Sequence, residues 1–519
     1  MDGAERNGQE TVFLVVHQGF GVRYLLRTDV LRTLVESGLR VVILSPNGGD
    51  PDFRRSFEGE NVYTESFETA KCEAYQNGSM VQKVMRTIRL YTLNGRYDTR
   101  TADNYFRALK ETARRTGRPK PWKVALLGAA IRVLKKSRRL RKGFVALEDL
   151  LFTPDFHRKL FEKYRPSMVV VSSLGNLDFD RYIMREARRH GAMVTSVILG
   201  MDNTSTKGYA GSRPDYVVAW TENMKRELVE LHDMDPGRIF VGGVAHFDYY
   251  FNGGTVWDRE NFCRRLGLDP SKKTIFFATK SPNTCPWSDE VVEMVAGAIE
   301  NGYFGMPCQM LVRLHPLHWR QRNGQLVFRK VLDGYERLRK KYPFVVFNDP
   351  EFDSRNISHD LNDTEFCVLK SILVHSDVMI NMFSTLTIEA SIFQLPTINI
   401  CFNGEKRDTG NPLQDLVFDY NESHNRRVMR SRGVRTVFTR EELLEQTKRY
   451  LEEPRLDREG RDRLRVEECG PYPGCAGAAI GRFTAGLLKS ERSEYEEGAD
   501  YGRSRLHWKP PGGGASGER

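Results

Sequence analysis

A histidine closes the first strongly apolar run of the chain. TVFLVV at 11–16 leads into His17, Gln18, Gly19, Phe20 and Gly21. An imidazole titrates near neutrality and can take a proton from a hydroxyl, which makes His17 a candidate general base. Gly19 and Gly21 would let backbone N–H groups come close to a ligand, marking a phosphate or acceptor loop. The alternative is a ring that only hydrogen-bonds its own loop. A second polar strand end, LGMDNTSTKG at 199–208, crowds Asp202, Asn203, Thr204, Ser205 and Lys207. Asp202 is a second titratable candidate there, and an ordinary polar turn is the competing reading.

Cationic groups gather in the other half of the sequence. TIFFATKSP puts Lys280 just past a strand, and MLVRLHP puts Arg313 and His315 in and after another. Three such groups at neighbouring strand ends suit a diphosphate. In MFSTLTIEASIFQLPTI, Ser384 and Thr385 open a short helix with Glu389 one turn on. Free N–H groups and the helix dipole favour phosphate oxygens at such a start, and a carboxylate one turn later can accept ribose hydroxyls. The plainer reading is an N-cap serine and a solvated glutamate.

These residues need a scaffold that brings strand ends together. Buried-type strands are expected at 11–16, 40–46, 61–67, 167–174, 192–199, 215–220 and 238–243, with helices at about 25–35, 178–190 and 222–231 between them. The second half repeats the pattern, with strands at 274–279, 309–316, 344–349, 377–382 and 397–402. Strand, helix, strand order implies parallel sheets. The expected architecture is α/β: a Rossmann-like domain at 11–250 with a helical insertion at about 71–165, and a second at 270–488. Residues 489–519 are polar and Gly-rich, as in a disordered tail.

The 519 residues carry a net charge of +11, with 40% hydrophobic and 28% charged residues. That excludes a disordered chain and a membrane-embedded one. No apolar run spans a bilayer, and the start has no basic leader. Residues 114–142 contain twelve Lys or Arg and no acid, so the remainder carries 11 − 12 = −1. On a helical wheel Leu126, Leu127, Ala130, Ile131, Val133 and Leu134 share one side, and Arg132, Lys135, Lys136 and Arg139 the other. This segment is expected to meet an anionic membrane surface; a solvated face over core is the alternative. Nucleic acid is not expected, because Trp122 is the segment's one aromatic residue. Eight scattered cysteines without a CxxC pair fit a reducing, cytoplasmic compartment, with any membrane contact on its inner face.

VRLHP (312–316), SDVMINMFSTLTIEASIFQ (376–394) and the stretch 214–248 resemble the GT-B superfamily of nucleotide-sugar glycosyltransferases. Its relatives include CDP-glycerol glycerophosphotransferases and UDP-N-acetylglucosamine 2-epimerases. The resemblance implies a nucleotide-sugar donor in the second domain, with Ser384 and Thr385 at its phosphates, Glu389 at its ribose, and Arg313 and His315 at the diphosphate. It implies a lipid-linked or glycan acceptor near His17 and Asp202. Two departures stand out. Ser384-Thr385-Leu386 replaces the glycine pair of the epimerases, and Glu389 is the single acid of its helix, which favours inverting transfer. No DxD-type carboxylate pair lies at a strand end, so neither metal nor cofactor is expected. The alternatives are glycerophosphate transfer, epimerisation, or donor binding without catalysis.

Overall fold

The computed structural model describes residues 9–252, 255–322, 325–350, 363–404 and 412–496. Strands form where β-branched and aromatic residues cluster between turn residues. The first sheet contains β1 (Thr11–Val15), β2 (Arg40–Ser45), β3 (Val62–Ser66), β4 (Met168–Val171), β5 (Met193–Val197), β6 (Tyr216–Ala219) and β7 (Ile239–Val241). They run parallel in the order β3-β2-β1-β4-β5-β6-β7. Central strands are covered on both faces, which explains why every residue of β1 is buried.

The second half contributes β8 (Lys273–Ala278), β9 (Cys308–Arg313), a small antiparallel pair of β10 (Gln321–Arg322) and β11 (Gln325–Leu326), then β12 (Val345–Asn348), β13 (Val378–Asn381), β14 (Thr397–Ile400) and β15 (Val434–Val437). Its six-stranded parallel sheet has the order β12-β9-β8-β13-β14-β15. The sequence reading has no strand at 434–437, where Arg435 and Thr436 break the apolar run. Strand order reverses between β1 and β4 in one sheet and between β8 and β13 in the other. Crevices beyond the carboxyl ends at such points are where open α/β sheets bind ligands.

Six helices lie between β3 and β4: Thr69–Gly78, Met80–Leu90, Arg100–Thr116, Pro121–Lys136, Arg138–Leu151 and Arg158–Tyr164. They enclose a small core of their own around Ile88, Phe106, Val124, Ile131 and Leu134. The helical-wheel reading is corrected here. Ile131 and Leu134 face inward with Val124 and Gly128, whereas Leu126 and Val133 point to solvent. Buried ion pairs tie these helices to one another and to the end of the helix Glu222–His232. Arg141 donates to both oxygens of Asp233 at 2.7 and 2.8 Å, and Arg89 Nε donates to Glu148 at 2.9 Å.

The last helix, Ala476–Glu496, returns to the first half, where Asp248 accepts from Ala476 N at 3.0 Å and Gly477 N at 2.7 Å. The expected end of the second domain at 488 therefore falls inside a helix capped by the first half. The polar tail expected from 489 begins in that helix, and its remainder lies outside the described residues. No helix among the described residues is long and apolar enough to cross a membrane.

Candidate functional site

His17 leaves the carboxyl end of β1, and Ser172 and Ser173 leave the end of neighbouring β4. Nine residues past the end of β4, the helix Asp180–Arg189 starts with its first carboxylate aimed back at the reversal point. His17 Nε2 lies 2.9 Å from Asp180 Oδ1, with side chains 5% and 0% exposed. The other oxygen of Asp180 accepts from Ser172 N at 3.2 Å, Ser172 Oγ at 3.1 Å and Ser173 Oγ at 2.8 Å. The imidazole also stands edge-on to Phe67, with centroids 4.3 Å apart. Burial opposes the imidazolium, yet Asp180, with Asp178 behind it, outweighs burial and raises the His17 pKa above 6.5. A carboxylate that fixes an imidazole and raises its basicity is an arrangement a general base can use.

The glycines beside His17 do not form an open loop. Residues Gly19–Gly21 begin a helix that continues through Val22–Leu26 with a wider turn. A methyl group on Gly21 would stand 3.2 Å from Val16 Cγ1 and 3.5 Å from Leu199 Cδ1. Gly21 thus permits close packing of helix on strand, and the expected phosphate or acceptor residues Gly19 and Gly21 lie at a helix start.

Arg23, in the same helix, reaches the second half. Its Nη2 donates to Tyr250 Oη at 3.2 Å and lies 3.8 Å from Glu389 Oε2, which also accepts from Tyr250 Oη. Glu389 sits in the helix Leu386–Ile392, directly after β13. The segments that follow the two reversal strands, β1 and β13, therefore touch. Glu389 is buried in this contact, not solvated.

A second junction gathers titratable groups from both halves. Asp202 Oδ2 pairs with Lys207 Nζ at 2.9 Å and accepts from Thr206 Oγ1 at 2.8 Å. Burial would raise its pKa, but Lys207 and His424 hold the carboxyl far below the ordinary range. So placed, Asp202 is a stable anion with little basicity near neutrality. Asn203 is buried behind it. Lys280, past the end of β8, pairs with Asp419 at 2.5 Å. Glu422 accepts from Tyr105 Oη at 3.0 Å and lies 3.5 Å from His424 Nε2. Burial, then Asp419 and Asp202, push Glu422 up to about 8, while burial takes His424 down to about 4. Arg427 completes the junction by donating to Glu227 and Glu468 at 2.6 Å each. Loops beyond the carboxyl ends of β5 and β8 converge here.

At the second reversal point, Phe277 of β8 is opposite Ile380 of β13, so Lys280 and Ser384 leave adjacent strand ends. Phe383 adopts a left-handed conformation, φ 54°, with its N–H donating to Asn399 Oδ1 at 3.3 Å. That turn leaves Ser384 exposed, its Oγ accepting from Leu386 N at 3.2 Å. Thr385 precedes the helix without a side-chain cap bond. Arg313 is turned inward, donating to Asn348 and to Glu365, so its charge is balanced before any ligand arrives. His315 Nδ1 accepts from Leu317 N at 3.1 Å, which places the proton of a neutral ring on Nε2.

Asp178, Asp180, Ser172 and Ser173 were legible as SSLGNLDFD after a strand, yet the sequence reading assigned them no role. Tyr105, Asp419, Glu422 and His424 carried no local signal, because they meet only through the packing of the two halves.

Two parallel Rossmann-like sheets with converging carboxyl edges form the GT-B architecture. A putative UDP-N-acetylglucosamine 2-epimerase from Listeria monocytogenes is similar, with TM-score 0.51 and 12% identity over 95% of this chain and 98% of its own. The UDP co-structure of S. aureus MnaA is similar too, with TM-score 0.52 and 10% identity over 93% and 97%. At that identity the likeness establishes the fold. No family model matches the chain, and no curated protein matches it in sequence.

Proposed function

We propose that the protein is an inverting glycosyltransferase that moves a sugar from a nucleoside diphosphate to a hydroxyl of a lipid-linked or glycan acceptor. The observation that carries this reading is the His17–Asp180 pair at one reversal point, linked through Arg23 and Glu389 to the segment after the other. His17 takes the acceptor hydroxyl proton as the acceptor oxygen bonds to the anomeric carbon. The bond from that carbon to the diphosphate breaks, and the electron pair leaves with the nucleoside diphosphate. Asp180 steadies the imidazolium. Lys280, exchanging Asp419 for phosphate oxygens, and the exposed Ser384 hydroxyl receive the leaving charge. His315 and Thr385 flank that position, and Glu389, where one oxygen is already engaged, is the acid nearest a ribose. Arg313 supports the end of β9 in this reading, with Glu365 and Asn348 holding its fork. Exposed apolar and basic side chains of the helical region hold the enzyme at an anionic membrane surface, where lipid-linked acceptors reside.

The test is turnover of nucleotide-sugars with and without a lipid extract as acceptor source. Transfer releases nucleoside diphosphate only when acceptor is present, and the release falls in His17→Ala. Interconversion of the donor without acceptor would replace this reading by epimerisation. Release of a nucleoside monophosphate from CDP-glycerol would replace it by glycerophosphate transfer.

A further inference from the structure

The loop between the helices Met80–Leu90 and Arg100–Thr116 lies on the end of the helix Pro121–Lys136, where Gly95 N donates to Lys135 O at 3.1 Å. A methyl group on Gly95 would stand 3.1 Å from Lys135 Cβ, so a side chain there would press on the end of that helix. The two elements border an open cavity of about 380 Å³ lined by Gly95, Arg96, Thr99, Asp103, Arg132, Lys135 and Lys136. Four cations face one carboxylate. Lys135 is taken up by Asp103 and by Thr99 Oγ1, the latter at 3.2 Å, and Thr99 Oγ1 donates to Asp103 at 2.7 Å. Arg132 spends only its Nε, on Gly128 O at 3.2 Å. The net positive charge around the cavity therefore comes from Arg96, Arg132 and Lys136, all exposed.

An apolar strip borders these cations. Trp122, Leu126 and Val133 are 58%, 64% and 56% exposed. At 3.6 residues per turn they share with Ala129 a sector about 60° wide, directly beside Arg132 and Lys136. Twelve of the twenty-one exposed large hydrophobic side chains among the described residues fall between 80 and 151, so the strip belongs to the stickiest region of the surface.

We propose that this cavity is a binding site for the phosphate of an anionic phospholipid headgroup, with Arg96, Arg132 and Lys136 on the phosphate and Trp122, Leu126 and Val133 in the acyl boundary. Guanidinium groups match phosphate oxygens in pairs, and an exposed tryptophan suits the headgroup layer. The inference rests on the membrane reading above and adds a defined site to it.

The test compares the full chain with three variants. One replaces the cavity cations (Arg96→Gln, Arg132→Gln, Lys136→Gln), and one removes three charges of the same segment outside the cavity (Arg114→Gln, Lys123→Gln, Arg139→Gln). The third replaces the strip (Trp122→Ser, Leu126→Ser, Val133→Ser). Each is sedimented with phosphatidylcholine vesicles and with equimolar phosphatidylcholine and phosphatidylglycerol vesicles. Each is also titrated with monomeric dihexanoyl phosphatidic acid, inorganic pyrophosphate and a single-stranded oligonucleotide. The expected result is saturable one-to-one binding of the short lipid that the cavity variant loses and the charge-matched variant keeps. Affinity for the anionic vesicles should fall at least tenfold further in the cavity variant than in the charge-matched one. The strip variant should lose the vesicles while keeping measurable short-lipid binding. Equal losses in the cavity and charge-matched variants would overturn the site while leaving general membrane attraction standing. Failure of the unmodified chain to bind anionic vesicles would overturn the membrane reading itself. Pyrophosphate or oligonucleotide binding that depends on the cavity, without vesicle binding, would overturn the lipid assignment.

Discussion

A base must be unprotonated to work, and the environment of His17 decides when that happens. Asp180 and Asp178 hold the imidazole protonated to a higher pH than an ordinary histidine. The acid limb of the turnover profile should therefore lie above pH 6.5, turnover rising as His17 loses its proton. Asp180→Asn removes most of the favourable field and should move that limb to lower pH, a shift that a purely structural defect would not produce. His17→Ala should lower kcat by about 10²–10⁴-fold, and His17→Asn nearly as much, with donor affinity unchanged. Glu389 makes a different kind of prediction. Its carboxylate is buried against Tyr250 and Arg23, so Glu389→Ala should cost about 1–3 kcal/mol of stability in chemical denaturation, besides any change in nucleotide affinity. A variant as stable as the parent would show that the contact between the halves contributes nothing.

Elements built from these residues respond to pH as units. Glu422 immediately precedes the helix Ser423–Arg430 and is pushed up to about 8, chiefly by burial. The folded chain keeps a proton that the unfolded chain releases above about 4.5, so this group's contribution to stability is lost as pH rises between those values. His424 acts in the opposite sense. Taken down to about 4, it costs stability as pH falls below 6.5 and is silent above. Glu422→Gln should thus gain melting temperature over the parent between about pH 7 and about pH 9, with little gain near pH 5. A gain independent of pH would contradict the assignment. The helical region has its own anchor in Arg141–Asp233. Breaking that buried pair with Arg141→Ala should destabilise by about 3–5 kcal/mol. For the same reason, excising 114–142 would remove part of a core and an anchor together. Membrane binding is better tested by surface substitutions.

Over the whole molecule, the parallel sheets were legible because buried strands write themselves as β-branched runs such as TVFLVV and RVVILS. β15 was not, since Arg435 and Thr436 interrupt it. Individual strand-end residues could be named, but their pairings could not. Arg313 with Glu365, Lys280 with Asp419 and His17 with Asp180 join residues separated by long stretches of chain. The helical wheel of 121–136 failed at Ile131 and Leu134, because a helix packed on one face and exposed on another has two apolar sides.

Transfer from a nucleotide-sugar requires that the second reversal point bind a nucleoside diphosphate through Lys280. Calorimetric titration of the full chain with UDP, GDP, CDP and dTDP tests it most directly. At least one should bind one-to-one. Lys280→Gln should weaken it by about tenfold or more, since a hydrogen bond to a charged group contributes about 1.5–3 kcal/mol and Asp419 would then face the phosphates uncompensated. His17→Ala should bind it as the parent does. No binding by any of the four, or equal affinity in Lys280→Gln, would contradict the account.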